Sequence, residues 1–278
     1  MKIGVNLMLW TGRFTRREIP LIAKVKRMGF DGVEIPIFAP AKVDVAGTRR
    51  ALADHGLGVT VSTSLVGGNL IGAAKKERRA ALDYLWAVLD VARGIGATCV
   101  AGPLYAPVGY LVGRGPNADE WKRAVEGLRE LADTAEILGV DLAVEPLNRF
   151  ETYFLNTCAD TVRLVKEIGS PRVGVLYDTF HANIEEKDPV AALRRVGRQL
   201  VHVHASENDR GIPGSGHVPW DETIRTLRAM GYDGWLTIES FVPAIRELAS
   251  AASIWRPLAR SGDELARRGL RFLRGQIE

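Results

Sequence analysis

The chain has 278 residues, 46% hydrophobic and 25% charged, a globular composition long enough for one large α/β domain or two small ones. Its net charge of +4 comes from scattered basic residues, and the densest groups, KKERR (75–79) and ARRGLRFLR (266–274), sit in helical patterns that read as solvated faces rather than a nucleic-acid patch. Only Cys99 and Cys158 occur, which excludes a disulfide framework and a CxxC metal site, and no apolar run approaches the ~20 residues of a membrane helix, so a soluble cytoplasmic protein without membrane or nucleic-acid partners is expected.

The N-terminal MKIGVNLMLW carries one lysine and a short apolar run with no small-residue cleavage site after it, and reads as a first strand rather than a signal peptide. Further candidate strands are GVEIPI (32–37), GVTVST (58–63), TCVAG (98–102), VDLAVE (140–145), VGVLYD (173–178), LVHVHA (200–205) and WLTIES (235–240). Amphipathic stretches such as REIPLIAKVKRMG, RRAALDYLWAVLDVARGIG and EWKRAVEGLRELADTAEILG lie between them. Glycines in MGFDGVEI, LGVDLAV and MGYDGWLTI stand just past the helix ends, where the left-handed conformation stops a helix without a Cβ penalty. Apolar strands joined by helices mean a parallel sheet covered on both faces. Eight such units fit a (β/α)8 TIM barrel spanning residues 1–278 as one domain better than an open doubly wound sheet. No GxGxxG follows the first strand and no GxxxxGK[ST] occurs, which removes the usual support for a dinucleotide or P-loop fold.

Chemistry in such a barrel sits at the C-terminal ends of the strands. The last four strands end in Glu145, Asp178, His204 and Glu239, spaced by about one βα unit each. Three carboxylates converging without compensation would repel one another, and a divalent cation removes the conflict. A mostly oxygen donor set suits Mn²⁺, Co²⁺ or Mg²⁺ better than structural zinc. Each residue also has a plainer reading: Asp178 as the N-cap of the next helix, His204 as a satisfied core histidine, and His202, on the same face, as the ligand in its place.

AVEPLNRFE, LYDTFHANIEE, VHVHASENDRGIPGSG and TIESF, in that order, resemble the ketose 3-epimerases, the D-tagatose and D-psicose (D-allulose) 3-epimerase family of xylose-isomerase-like TIM barrels. The resemblance runs through most of the chain. It implies that Glu145, Asp178, His204 and Glu239 bind the metal, Mn²⁺ first among the candidates. It also implies that Glu145 and Glu239 transfer protons, and that Glu151, His181 and Arg210 hold the O1–O2 end of the sugar. Asn148 and Arg149 are expected to support neighbouring carboxylates. The implied reaction removes the proton α to the ketose C2 carbonyl and returns one to the opposite face. That requires two carboxylates and a metal-stabilised enediolate.

Where hexose-preferring relatives carry an early aromatic residue, this chain has Asn6, with Met8 and Trp10 nearby, which leaves D-fructose/D-allulose, D-tagatose/D-sorbose and L-ribulose as substrate classes. Phe241 and Tyr105 are expected wall residues. Rival readings on the same barrel are an aldose–ketose or hydroxypyruvate-type isomerase and an inosose dehydratase-like eliminase. An apurinic-site endonuclease would need more well-placed histidines than His55, His181, His202, His204 and His217 supply, and a sugar-binding protein has no use for both Glu145 and Glu239. The resemblance implies a homodimer or homotetramer, to which Trp220, Trp235 and Trp255 are candidate contributors.

Overall fold

Each apolar run becomes a strand in the computed structural model, which describes residues 1–278. The strands are β1 Lys2–Asn6, β2 Gly32–Pro36, β3 Gly58–Ser62, β4 Cys99–Gly102, β5 Asp141–Val144, β6 Val173–Asp178, β7 Leu200–Ala205 and β8 Trp235–Ile238. They pair in parallel in chain order, and β8 closes the barrel against β1 from Lys2↔Trp235 to Val5↔Ile238. The helices are α1 Pro20–Met28, α2 Val45–His55, α3 Lys75–Ile95, α4 Ala118–Leu138, α5 Cys158–Ile168, α6 Thr179–Glu185, α7 Pro189–Val196, α8 Trp220–Ala229, α9 Arg246–Ala251 and α10 Gly262–Ile277. Two of them, α6 and α9, are short helices on the loops that leave β6 and β8.

Period-two alternation sorts the strand residues. Ile3, Val5, Val33, Ile35, Val59 and Val61 join the buried apolar layer that also contains Leu85, Leu89, Leu128 and Leu131 of the helices. The alternate set is equally buried and mixed: Asn6, Glu34, Thr60, His202, His204 and Thr237 are polar, while Cys99, Ala101, Ala143 and Leu176 form a small apolar cluster. At the N-terminal end of β8, Trp235 lies against Gly32 and Gly58, where an added Cβ would stand 2.3 and 2.6 Å from its ring.

Helix stops follow the glycine signals: α1 ends at Gly29 (φ 95°) and α4 at Gly139 (φ 68°), both left-handed. The start of α4 is a capping box, with Asn117 Oδ1 accepting from Glu120 N and Glu120 Oε2 accepting from Asn117 N, each at 2.9 Å. Most strands are a residue or two shorter than their apolar runs, and β1 departs furthest. The run IGVNLML leaves the sheet at Asn6, whose Oδ1 accepts from Met8 N at 2.9 Å and turns Leu7–Leu9 into a 3-10 helix. A short amide side chain there offers the backbone an alternative to the ladder. The tryptophans also divide. Trp220 is buried and donates to Glu207, Trp235 is half-buried in the barrel floor, and only Trp255 stands out, at 75% exposed.

Candidate active site and metal centre

Asp178 and His204 are ladder partners on β6 and β7, while Glu145 and Glu239 each follow the last residue of β5 and β8. One ligand atom from each of the four lies within 4.8 Å of the others, and all four residues are buried. His204 Nδ1 stands 3.4 Å from Glu239 Oε1, 3.8 Å from Glu145 Oε1 and 4.0 Å from Asp178 Oδ2. It is buried and has no hydrogen-bond partner. Asp178 is also the N-cap of α6, its Oδ1 accepting from Phe180 N at 2.7 Å, so the capping reading and convergence on the centre hold together through different oxygens. His202 does not compete for the centre. Its Nε2 turns away to lie 2.8 Å from Glu34 Oε2.

The electrostatics show strain that a cation would relieve. Burial, reinforced by Glu239 and Asp178, pushes Glu145 well above the usual carboxylate range. Burial and Glu239 likewise raise Asp178 against the pull of Arg210. For Glu239, burial is outweighed by His204 and Arg210, and its pKa falls below the usual value. Burial opposes charge on His204, but Glu239 and Glu34 hold its pKa well above the imidazole norm. Three carboxylates aimed at one lone imidazole nitrogen are a donor set that fits a hard or borderline divalent cation.

Arg210 supplies the nearest fixed positive charge, its Nη1 bridging Asp178 Oδ2 at 2.7 Å and Glu239 Oε2 at 2.8 Å. It is 4% exposed, so both of these ion pairs are buried. Its backbone is left-handed (φ 64°), held by Glu207 O on Arg210 N at 2.9 Å and by Ser240 Oγ on Arg210 O. The guanidinium lies 3.9 Å from the centroid of Phe180 and 5.3 Å from that of Phe241.

The substrate-side residues gather beside this centre. Asn148 N donates to His181 Nδ1 at 3.0 Å, so in the neutral ring Nε2 carries the proton. Burial and the nearby Arg210 and His204 charges keep that ring neutral by pulling its pKa well down. Nε2 and Arg210 Nη2 are then two donors 3.1 Å apart that cannot satisfy each other. Glu151 Oε1 accepts from Asn148 Nδ2 at 2.8 Å, and Arg149 forms a two-pronged pair with Glu185 at 3.0 Å through Nε and Nη2, so both residues do support neighbouring carboxylates.

These groups open into a cleft whose walls include Met8, Phe38, Ser62, Ser64, Val108, Phe241 and Leu248. One expectation changes. Tyr105 is no wall residue: it is fully buried behind the site, its hydroxyl donating to Glu145 O at 3.0 Å. At the place where the sequence has Asn6, Met8 and Trp10, the 3-10 turn brings Met8 to the wall, and Phe38, which sequence reasoning missed, supplies an aromatic one. The missed Glu34 did have a signal, a carboxylate inside the apolar run GVEIPI.

The family of xylose isomerase-like TIM barrels matches residues 22–276. The chain is 36% identical over 275 residues to "Probable ketose 3-epimerase" of Synechocystis sp., covering 99% of this chain and 96% of that one. It is 33% identical to D-psicose 3-epimerase of Agrobacterium fabrum, covering 99% and 98%. A solved D-psicose 3-epimerase, determined in the presence of D-fructose, superposes with a TM-score of 0.93 at 32% identity, covering 100% and 99%.

Proposed function

The chain belongs to the xylose isomerase-like TIM barrels and, within them, to the ketose 3-epimerases, and from that premise we propose that it inverts C3 of a free ketose with Glu145 and Glu239 as the proton-transferring pair. It is an isomerase-class enzyme. Glu145, Asp178, His204 and Glu239 would hold a divalent cation, Mn²⁺ in our reading, and the unpartnered His204 Nδ1 among three carboxylates supports that fit. When bound there, the cation polarises the substrate carbonyl and disperses the charge that develops as the α-proton leaves.

The observation that carries the reading is the pair of carboxylates at one centre, from strands three apart in the barrel. A single base would return the proton to the face it came from, whereas two permit inversion, one accepting as the other donates. The paired donors His181 Nε2–H and Arg210 Nη2 suit an oxygen that gains charge beside the reacting carbon. Glu151, oriented by Asn148, is placed to hold a sugar hydroxyl. Arg210 is the only lysine or arginine on the cleft wall and is already paired with Asp178 and Glu239, which favours a free sugar over a sugar phosphate. Assembly as a homodimer or homotetramer belongs to the same reading; exposed Val66, Tyr110, Leu111 and Phe150 on the loops after β3, β4 and β5 are surface suited to it.

The test is to strip the protein with chelator, restore Mn²⁺ and incubate it with D-fructose in D₂O under NMR. D-allulose carrying deuterium at C3, formed only with metal, is the expected result. Deuterium at C1 or C2 with an aldose product would make the enzyme an aldose–ketose isomerase. D-tagatose and L-ribulose follow as substrates, and silence on all three ketoses would sink the reading.

A further inference from the structure

One charged group in the barrel is not used by the proposed reaction. Glu34 is fully buried within β2 and does not reach the cleft. Barrel interiors are mostly filled by branched apolar side chains, and a buried carboxylate without partners is costly. Here both of its oxygens are partnered. Oε1 accepts from Asn6 Nδ2 at 2.8 Å and lies 2.8 Å from His204 Nε2. Oε2 accepts from Thr60 Oγ1 at 2.9 Å and lies 2.8 Å from His202 Nε2. Three of these are hydrogen bonds, while His202 Nε2 is a close neighbour that makes none.

An ionised carboxylate only accepts, so the hydrogen between Glu34 and His204 belongs to His204 Nε2. In the neutral ring the lone pair is then on Nδ1, the buried, unpartnered nitrogen 3.4 Å from Glu239 Oε1 and 3.8 Å from Glu145 Oε1. We propose that Glu34 is a positioning residue for the metal centre, fixing the tautomer and ring orientation in which His204 presents Nδ1 to Glu145, Asp178 and Glu239. This rests on the reading of those four residues as cation ligands. A carboxylate behind a ligating imidazole both orients the ring and strengthens it as a donor, and losing such a partner typically weakens metal binding by about 10–100-fold. Asn6, which donates to the same oxygen that meets His204, keeps that oxygen from turning away. If Glu34 merely solvated two buried histidines, neutralising it would lower stability and leave metal affinity alone.

Two readouts that involve no sugar decide between these, so a failure of epimerisation leaves the test intact. The first is the Mn²⁺ dissociation constant by equilibrium dialysis for the wild-type protein, E34Q and T60V. Glutamine keeps the shape but removes the negative charge that orients the His204 ring and strengthens it as a donor. We expect E34Q to bind Mn²⁺ about 10–100-fold more weakly. T60V, which removes a neighbour of the carboxylate without touching its bond to His204, should stay close to wild type. The second is the two-bond ¹H–¹⁵N correlation spectrum of the Mg²⁺-loaded wild-type protein, with His204 assigned through H204Q; it should show His204 protonated at Nε2. Wild-type Mn²⁺ affinity in E34Q, an equal loss in T60V, or His204 protonated at Nδ1 would each overturn the proposal. Should E34Q fail to fold, E34D takes its place, since it keeps the charge but withdraws both oxygens by a methylene. E34D is expected to bind Mn²⁺ more weakly, and unchanged affinity would again overturn the proposal.

Discussion

Glu145 and Glu239 face the same few ångströms of space under opposite influences. Burial dominates at Glu145, while His204 and Arg210 prevail at Glu239. In E145Q and in E239Q the amide neither accepts nor releases a proton at neutral pH, so kcat should fall by about 10²–10⁴-fold. Circular dichroism should show the fold retained. Glu151 touches the centre less directly, so E151Q should raise KM more than it lowers kcat; a pure kcat loss would place Glu151 in the proton transfer instead. The residues argued this way were legible because charge follows directly on an apolar run, as in VDLAVE and WLTIES. Arg210 was legible by motif, but not its burial. Its loop is wound around Glu207, which accepts from Asn208 N, Gly214 N, Val218 N and Trp220 Nε1, a long-range arrangement that no local pattern announces. Glu34 lay in plain view in GVEIPI, but period two gives only its face and not that the face meets two histidines from across the barrel.

At the scale of elements, local chemistry fixed helix ends better than strand ends. Glycine and capping signals act within a few residues, whereas β1 stops where one asparagine side chain captures a backbone N–H. The cap of α4 carries a pH prediction. Hydrogen bonds from Arg114 first, then from Asn117 N and Tyr153, hold Glu120 down to about 2 against its ordinary 4.5. A lowered carboxylate contributes stability that is complete above its unfolded value and is lost as pH falls through the folded one. The stability deficit of E120Q should therefore be full above about pH 5 and narrow between 4.5 and about 2, which urea midpoints across that range would read. A deficit independent of pH would mean that Glu120 acts by packing alone. The floor of the barrel gives a second element-scale prediction. Gly32 and Gly58 make room for the Trp235 ring, and a Cβ on Gly32 would stand 2.3 Å from it. G32A should cost about 1–3 kcal/mol of stability by overpacking. It should leave turnover near wild type, because Trp235 begins β8 and Glu239 lies past its other end.

The whole molecule gathers the conflict of its charges at one end. Eight alternations of strand and helix were enough to read the barrel, since each is a local pattern repeated. Which strand closes on β1, and that a polar cluster of Asn6, Glu34, Thr60, His202 and His204 lies beneath the site, are properties of the closed ring rather than of any segment. The donors of the centre lie between positions 145 and 239 and meet only when β5 to β8 are assembled. The unfolded chain therefore offers no comparable site, and a cation that binds the folded form shifts the unfolding equilibrium by mass action. At about a hundred times its Kd the gain is about 2.7 kcal/mol. For a chain of this size, each kcal/mol moves Tm by roughly 2–4 °C, so Mn²⁺ should raise Tm by about 5–10 °C over the chelated protein. The shift should shrink in D178N, which removes a donor charge while the amide oxygen can still accept the α6 capping bond. Equal Tm with and without Mn²⁺ would show that the folded barrel tolerates its three facing carboxylates through His204 and Arg210 alone, and the centre would then need another occupant.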